Sequence, residues 1–370
     1  MSSIFDEDLD LFGDASFKDY YKKRKEQPQK PKILTLLEVL GKMGTEDKEN
    51  RYREEEPFWK KLIIPVGEYE NGEVFKFEIS SDEAKSCAMI VGGTRSGKSN
   101  LLHSIILSAC SRYTPDEVQF YIADFKEYSN EFSSYIKNEG QRNLFMPHVR
   151  FVSCDTSRQN ALSILDKINE LMEERYIAMH PYVSFEEYNK EQEKLGEDGK
   201  KMPWLLLLID EADIMLGSVW GCGDDEIRES ARMNNQIRMK MGVLMRLARS
   251  VGIGIILTGQ DVCNTSELLN FMDTRLCLKV DNNQIIRELF NVEYSEMRTV
   301  MEKLERWNGL YTGEGGRGTH KFVTLAHSEA TSYRGESAML IAGGVRDKYS
   351  FDAKYSELYE NQVVVEGQSD

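Results

Sequence analysis

Ala88-Met89-Ile90-Val91-Gly92-Gly93-Thr94-Arg95-Ser96-Gly97-Lys98-Ser99-Asn100-Leu101 is the stretch on which the fold turns. Residues 92–99 satisfy G-x-x-x-x-G-K-[ST], with an apolar run before them and a helical pattern from Asn100 to Ala109 after them. That context predicts a buried strand, a glycine-rich loop and a helix in succession. The glycines let the backbone curl so that successive N–H groups converge, and the helix N-terminus adds positive potential at the same point. Such a loop suits the phosphates of ATP. Gly92, Gly93, Thr94, Arg95, Ser96, Gly97, Lys98, Ser99 and Asn100 are therefore the expected nucleotide-binding residues. Lys98 would reach the β and γ phosphates and Ser99 would give its hydroxyl to Mg2+. A glycine-rich turn without a ligand has no need of the Lys98-Ser99 pair.

Working outward, Leu205-Leu206-Leu207-Leu208-Ile209-Asp210-Glu211 reads as a buried strand with two acids at its C-terminal end, where open α/β sheets bind ligands. Asp210 is expected to hold Mg2+, and Glu211 to orient and polarise the attacking water. Ile255-Ile256-Leu257-Thr258-Gly259-Gln260 ends in a polar side chain in the same way, so Gln260 is a candidate to sense the γ-phosphate or to orient water. Further apolar runs at 118–123, 149–152, 253–257 and 276–280 alternate with helical patterns. The fold class is therefore α/β, a mainly parallel sheet with helices on both faces. Ahead of it, 62–67 and 73–79 read as a hairpin turning at Asn71-Gly72. The chain divides into a charged arm at 1–60, a core at 61–330 and an extension at 331–370, where strand and helix signals fade after Ser328. Within the arm, Ile33 to Leu40 reads as a short docking helix ending at Gly41; within the core, 186–201 reads as a charged surface excursion.

With 41% hydrophobic residues in 370, the chain can bury a large core. Cys87, Cys110, Cys154, Cys222, Cys263 and Cys277 form no C-x-x-C pair, which argues for reduced thiols and a cytoplasmic setting rather than zinc. The most apolar run, Trp204 to Ile209, falls far short of the roughly 20 residues of a membrane span. Membrane attachment would have to come from another protein. The formal charge of −15 excludes a uniformly basic coat, although not basic residues on the inner wall of a ring.

Taken in order, these segments resemble the FtsK/SpoIIIE group of the FtsK–HerA superfamily. Besides the loop, the resemblance rests on Asp124-Phe125-Lys126, Met146-Pro147-His148-Val149, Glu170 to Tyr176, Asp210-Glu211-Ala212-Asp213, Leu247 to Ile253, the Thr258-Gly259-Gln260 strand end, Asp273-Thr274-Arg275 and Gly309-Leu310-Tyr311, and covers about Leu62 to Leu325. It implies a RecA-like P-loop ATPase core working as a homo-oligomer, a hexameric ring, with double-stranded DNA as partner. It also implies that Arg249 is an arginine finger given to the neighbouring subunit's ATP, with Arg275 a lesser interface candidate. The chain departs from the group at Arg95, usually Gly, at Gly254, usually His, and at Asp261-Val262, commonly Arg-Pro.

Three kinds of cargo and role stay open at this level. A DNA translocase of a plasmid, conjugative element or phage would grip phosphates through residues 128–142, with Lys137 and Arg142, or 215–240, with Arg228, Arg232, Arg238 and Lys240. A type VII-like protein-secretion ATPase shares the superfamily and the Arg-Ser pair at 249–250. An ATP-binding assembly platform is the third. The histidines show no metal-ligand spacing, and the Met-rich stretch around Met233 to Met245 reads as a packing face or subunit interface.

Overall fold

In the computed structural model, residues 33–45, 56–81, 85–127, 129, 131–136, 144–217, 224–262, 265–290, 299–300, 302–315, 320–330, 335–349, 355, 358 and 362–365 are described. The apolar runs become strands: β1 (Lys61–Tyr69), β2 (Val74–Ser80), β3 (Cys87–Val91), β4 (Val118–Asp124), β5 (Val149–Ser153), β6 (Trp204–Asp210), β7 (Ile253–Gly259) and β8 (Thr274–Cys277). β8 starts and ends earlier than the apolar run at 276–280 suggests. Three more follow, β9 (Asn308–Thr312), β10 (Lys321–Leu325) and β11 (Val363–Val365).

All of these join one eleven-stranded sheet among the described residues, in the order β11-β5-β4-β6-β7-β3-β8-β9-β10-β1-β2. From β11 to β8 every neighbouring pair is parallel. From β8 to β2 every pair is antiparallel. Every residue of β3, β6 and β7 is buried, which requires cover on both faces. The hairpin β1–β2 turns at Gly72, whose φ of 84° is open to glycine, and it forms the antiparallel edge of the same sheet rather than a separate unit.

The helices α1 (Leu36–Thr45), α2 (Lys98–Arg112) and α8 (Glu336–Tyr349) pack with one another, and α1 and α2 also pack on β1. Thr35 and Glu38 make a capping box at the start of α1: the Thr35 N–H donates to Glu38 Oε2 at 2.9 Å, and the Glu38 N–H to Thr35 Oγ1 at 3.4 Å. Leu36, Leu37, Val39 and Leu40 are buried, so α1 docks on its own chain, and Gly41 lies inside the helix rather than at its end. Elsewhere α3 (Arg158–Met179) packs on α6 (Asp224–Leu247), whose Ile237, Met241, Leu244 and Met245 are buried at helical spacing. Arg175 of α3 donates to the carbonyls of Pro203, Val251 and Gly252, fastening the helix beside β6 and β7. The charged excursion folds as α4 (Phe185–Lys194), N-capped by Ser184. Residues 1–32 and 46–55 of the arm lie outside the described residues. The extension contributes α8 and β11, regular structure where the sequence signals fade.

His148, just before β5, is buried, with Nε2 donating to Tyr113 O at 2.8 Å and Nδ1 buried without a hydrogen-bond partner. Burial pulls its pKa down to about 4. An unfolded histidine takes its proton near pH 6.5 while the native one does not, so the stability that neutral His148 contributes is complete above pH 6.5 and is lost as pH falls toward 4. Between pH 7 and pH 5 the parent should lose about 2 kcal/mol more than His148→Gln. Urea unfolding of both proteins at the two pH values measures the difference; equal losses would remove His148 as the source.

Candidate nucleotide-binding site

The loop is fastened before any ligand arrives. The Gly92 N–H donates to Gly259 O at 3.1 Å and the Gly93 N–H to Lys279 O at 2.8 Å, so its first turn is stitched to the ends of β7 and β8. Arg95 and Gly97 have φ of 63° and 118°, which alternates the backbone and curls it into a nest. Lys98, the first residue of α2, folds back so that Nζ donates to Gly92 O at 2.7 Å and lies 3.7 Å from Glu211 Oε1. Both side chains are only 7% exposed, which makes this a desolvated pair whose lysine is poised inside the loop.

Asp210 ends β6 and Glu211 follows it at φ 56°, a left-handed conformation that an L-residue holds only under constraint. The constraint is visible: the Glu211 N–H donates to Asp210 Oδ1 at 3.2 Å and to Thr258 Oγ1 at 3.3 Å, and the Thr258 hydroxyl donates to Asp210 Oδ1. Gln260 Nε2 donates to both Glu211 oxygens, at 3.3 and 3.2 Å, and Thr94 Oγ1 donates to Gln260 Oε1 at 3.3 Å. Residues that follow the C-terminal ends of the adjacent strands β6, β7 and β3 thus meet in the middle of the sheet. Burial pushes the Asp210 carboxyl up to about 7, with the neighbouring Asp124 and Glu211 adding to the effect and Thr258 and Lys98 opposing it. Asp124 stands opposite Asp210 in the β4–β6 register and accepts from Ser129 Oγ at 2.6 Å.

The residues fit a magnesium nucleotide. Ser96 Oγ is buried in the loop without a hydrogen-bond partner, and a Cβ on Gly92 would stand 2.4 Å from it. Ser99 and Asp210 offer only oxygen donors, as Mg2+ prefers. No group of three His, Cys, Asp or Glu that could hold a metal alone exists among the described residues, so an ion here would need phosphate oxygens as well.

Two expected residues lie elsewhere. The Asn100 side chain turns away from the loop: Nδ2 donates to Ala326 O at 2.8 Å, and Oδ1 accepts from the Ser328 N–H and hydroxyl at 2.9 and 3.0 Å. Its role is to fasten α2 to the chain beyond β10, which leaves only its backbone N–H to face a phosphate. Arg249 sits exposed in a turn at 248–251 ahead of β7, within electrostatic reach of Cys87 and Asp273 at the starts of β3 and β8. β7 has seven residues, so Arg249 stands about 20 Å from the phosphate loop of its own chain. Arg275 is buried and donates to the carbonyls of Leu269, Met272 and Leu289, a structural clamp. Of the candidate cargo-gripping residues, Arg238 donates to Leu216 O and Lys240 pairs with Asp166, while Lys137 and Arg142 lie outside the described residues. Thr258 enters the sequence reading only as part of a family strand end, and its bonds to Asp210 and Glu211 come from the fold; Trp307, beside Gly97, belongs to no nucleotide motif and carries no signal.

Fold and site together define a P-loop ATPase core. The chain belongs to the FtsK/SpoIIIE family, whose model matches residues 49–301. Among curated proteins it is similar to the type VII secretion system protein EssC of Staphylococcus aureus strain Mu50, 25% identical over 267 residues, which is 70% of this chain and 16% of that protein. It is also similar to the ESX secretion system protein EccC of Geobacillus thermodenitrificans, 27% identical over 269 residues, 66% of this chain and 17% of that one. The chain thus spans about a sixth of the length of these relatives. Among solved structures, the cytoplasmic domain of the Thermomonospora curvata type VII secretion ATPase EccC superposes with a TM-score of 0.60 at 19% identity, covering 80% of this chain and 32% of that one. The pCW3 conjugation coupling protein TcpA, in its monomer form with ATPgS, gives 0.55 at 16% identity, covering 84% and 74%. These likenesses show a common fold. Among the described residues no helix is long and apolar enough to cross a membrane.

Proposed function

We propose that this chain binds and hydrolyses Mg2+·ATP through Lys98, Ser99, Asp210, Glu211 and Gln260, that Arg249 of a neighbouring copy completes each site, and that a ring of copies, six by family resemblance, moves double-stranded DNA. It works in the cytoplasm. The observation that carries the hydrolytic reading is the meeting of Lys98, Glu211 and Gln260 within hydrogen-bonding or ion-pair reach beside buried Asp210. When bound, Mg2+ supplies Lewis acidity and neutralises phosphate charge. Lys98 exchanges Gly92 O and Glu211 for phosphate oxygens, which releases Glu211. Glu211 then accepts a proton from water at a carboxylate oxygen, while Gln260 orients both. The amides of residues 92–99 hold the charge that moves onto the leaving phosphate.

Arg249 supports the ring. It is exposed and about 20 Å from its own loop, so as a finger it would have to reach another copy's phosphates. For the cargo, the reading of DNA rests on the resemblance of the sequence to the FtsK/SpoIIIE group. A second reading, a polypeptide motor for export, is favoured by the secretion-system names of the relatives at 25% and 27% identity. ATPase rate against protein concentration, with and without linear duplex and at two salt concentrations, separates them. We expect turnover to rise with concentration and with duplex, the stimulation shrinking as salt rises. A flat response to duplex at both salts removes DNA as cargo and leaves the polypeptide.

A further inference from the structure

Of the four non-glycine residues with positive φ among the described ones, Arg95, Glu211 and Trp307 border the phosphate loop. The first two have a place in the site already described; Trp307, at φ 74°, has none. A bulky aromatic in the left-handed region is an outlier that survives only where its surroundings impose it. They do so here: the Leu325 N–H donates to Trp307 O at 2.7 Å, and the His327 ring meets the indole edge-on at 4.7 Å and 79°. A Cβ on Gly97 would lie 3.0 Å from Trp307 Cε3 and 3.2 Å from Cζ3, so the indole rests against the backbone of the loop's last glycine. Arg306, exposed, lays its guanidinium carbon 4.6 Å from the indole centroid.

The strand order decides which end of a nucleotide comes here. Glu211 and Gln260 follow β6 and β7, on one side of β3. Trp307 precedes β9, beyond β8, on the other side. A triphosphate whose γ phosphate lies by Glu211 must carry its nucleoside toward β8 and β9. We propose that Arg306 and Trp307 form the shelf on which the nucleobase stacks, an inference that rests on reading the loop as a triphosphate site.

The chemistry of the shelf sets its selectivity. Indole and guanidinium are planar and stack on any π face, giving affinity without reading base edges. The ligand class is therefore nucleoside triphosphates, held by base as well as by phosphates, with little discrimination between adenine and guanine. A phosphate loop without the shelf would treat inorganic tripolyphosphate and a nucleotide alike.

Calorimetric titration of the full chain in Mg2+ tests this, with the β,γ-imido analogue of ATP and inorganic tripolyphosphate as probes and the parent, Trp307→Ala, Trp307→Phe and Arg306→Gln as proteins. The parent should bind the analogue tenfold to a hundredfold more tightly than tripolyphosphate, on the order of one stacked base. Trp307→Ala should abolish that advantage while leaving tripolyphosphate affinity unchanged; Trp307→Phe should keep most of it, and Arg306→Gln should lose a severalfold part. Equal affinity of the parent for both probes overturns the shelf but leaves the phosphate loop standing. If Trp307→Ala weakens both probes equally, the indole supports Gly97 instead of a base, and the proposal falls. A parent that binds neither probe removes the triphosphate site itself and the shelf with it.

Discussion

Glu211→Gln should hold ATP and fail to turn it over. The substitution keeps the shape of the side chain, its left-handed backbone and a partner for Gln260, and removes only the group that can accept a proton from water. General-base contributions run to about a hundredfold to ten-thousandfold, and we expect kcat to fall by about a thousandfold. Binding should change little, because Lys98 and the loop amides hold the phosphates without help from the carboxylate. The substitution also removes the acid that competes for Lys98 at 3.7 Å. Filter retention of labelled ATP beside a steady-state assay makes the comparison. Loss of retention and turnover together would mean that Glu211 builds the pocket; unchanged turnover would move the base elsewhere.

The second large effect concerns Arg249. Arg249→Ala alone and Lys98→Ala alone should each lose about a thousandfold in kcat, the first for want of a finger and the second for want of phosphate binding. Mixed in equal amounts they should recover activity. A Lys98→Ala subunit still offers its Arg249 to an intact loop on an Arg249→Ala neighbour, and in a ring with head-to-tail contacts about a quarter of the interfaces pair the two intact halves. Titrating one variant into the other while following phosphate release tests this. Activity that stays at the level of the separate variants would place Arg249 outside any shared site.

The parallel half of the sheet is legible in the sequence because its signals are local. Residues 88–91, 205–209 and 253–257 are unbroken apolar runs, and each leads into a loop whose chemistry differs from its own. The loop from Gly92 to Ser99 declares itself, and Asp210, Glu211 and Gln260 announce themselves as polar residues ending apolar strands. The antiparallel half is less legible. β9 takes its register from partners at 275–277 on one side and 321–324 on the other, so nothing near Asn308 sets it. α8 hides its apolar face in small residues, with Ala338, Ile341, Ala342 and Val345 buried at helical spacing around a Gly343-Gly344 pair of low helix propensity. β11 has three residues, too few to show any period. Asn100 follows the motif directly, and only the fold reveals that its carboxamide is claimed by residues more than 200 positions away. The distance of Arg249 from its own loop is likewise a property of the assembled sheet; the sequence suggests its role only through family likeness.

The fastening of Asn100 has a mechanical consequence. Ala326 and Ser328, which grip its side chain, flank His327, whose N–H donates to Leu34 O at 2.8 Å and whose carbonyl accepts from the Leu36 N–H at 3.1 Å. The backbone at Leu34 and Leu36 is therefore tied through residues 326–328 to the helix that carries Lys98 and Ser99, beside the packing of α1 on that helix and on β1. A load on that leading segment would reach the phosphate loop directly, and a shift of the loop on binding nucleotide would be felt at the tether.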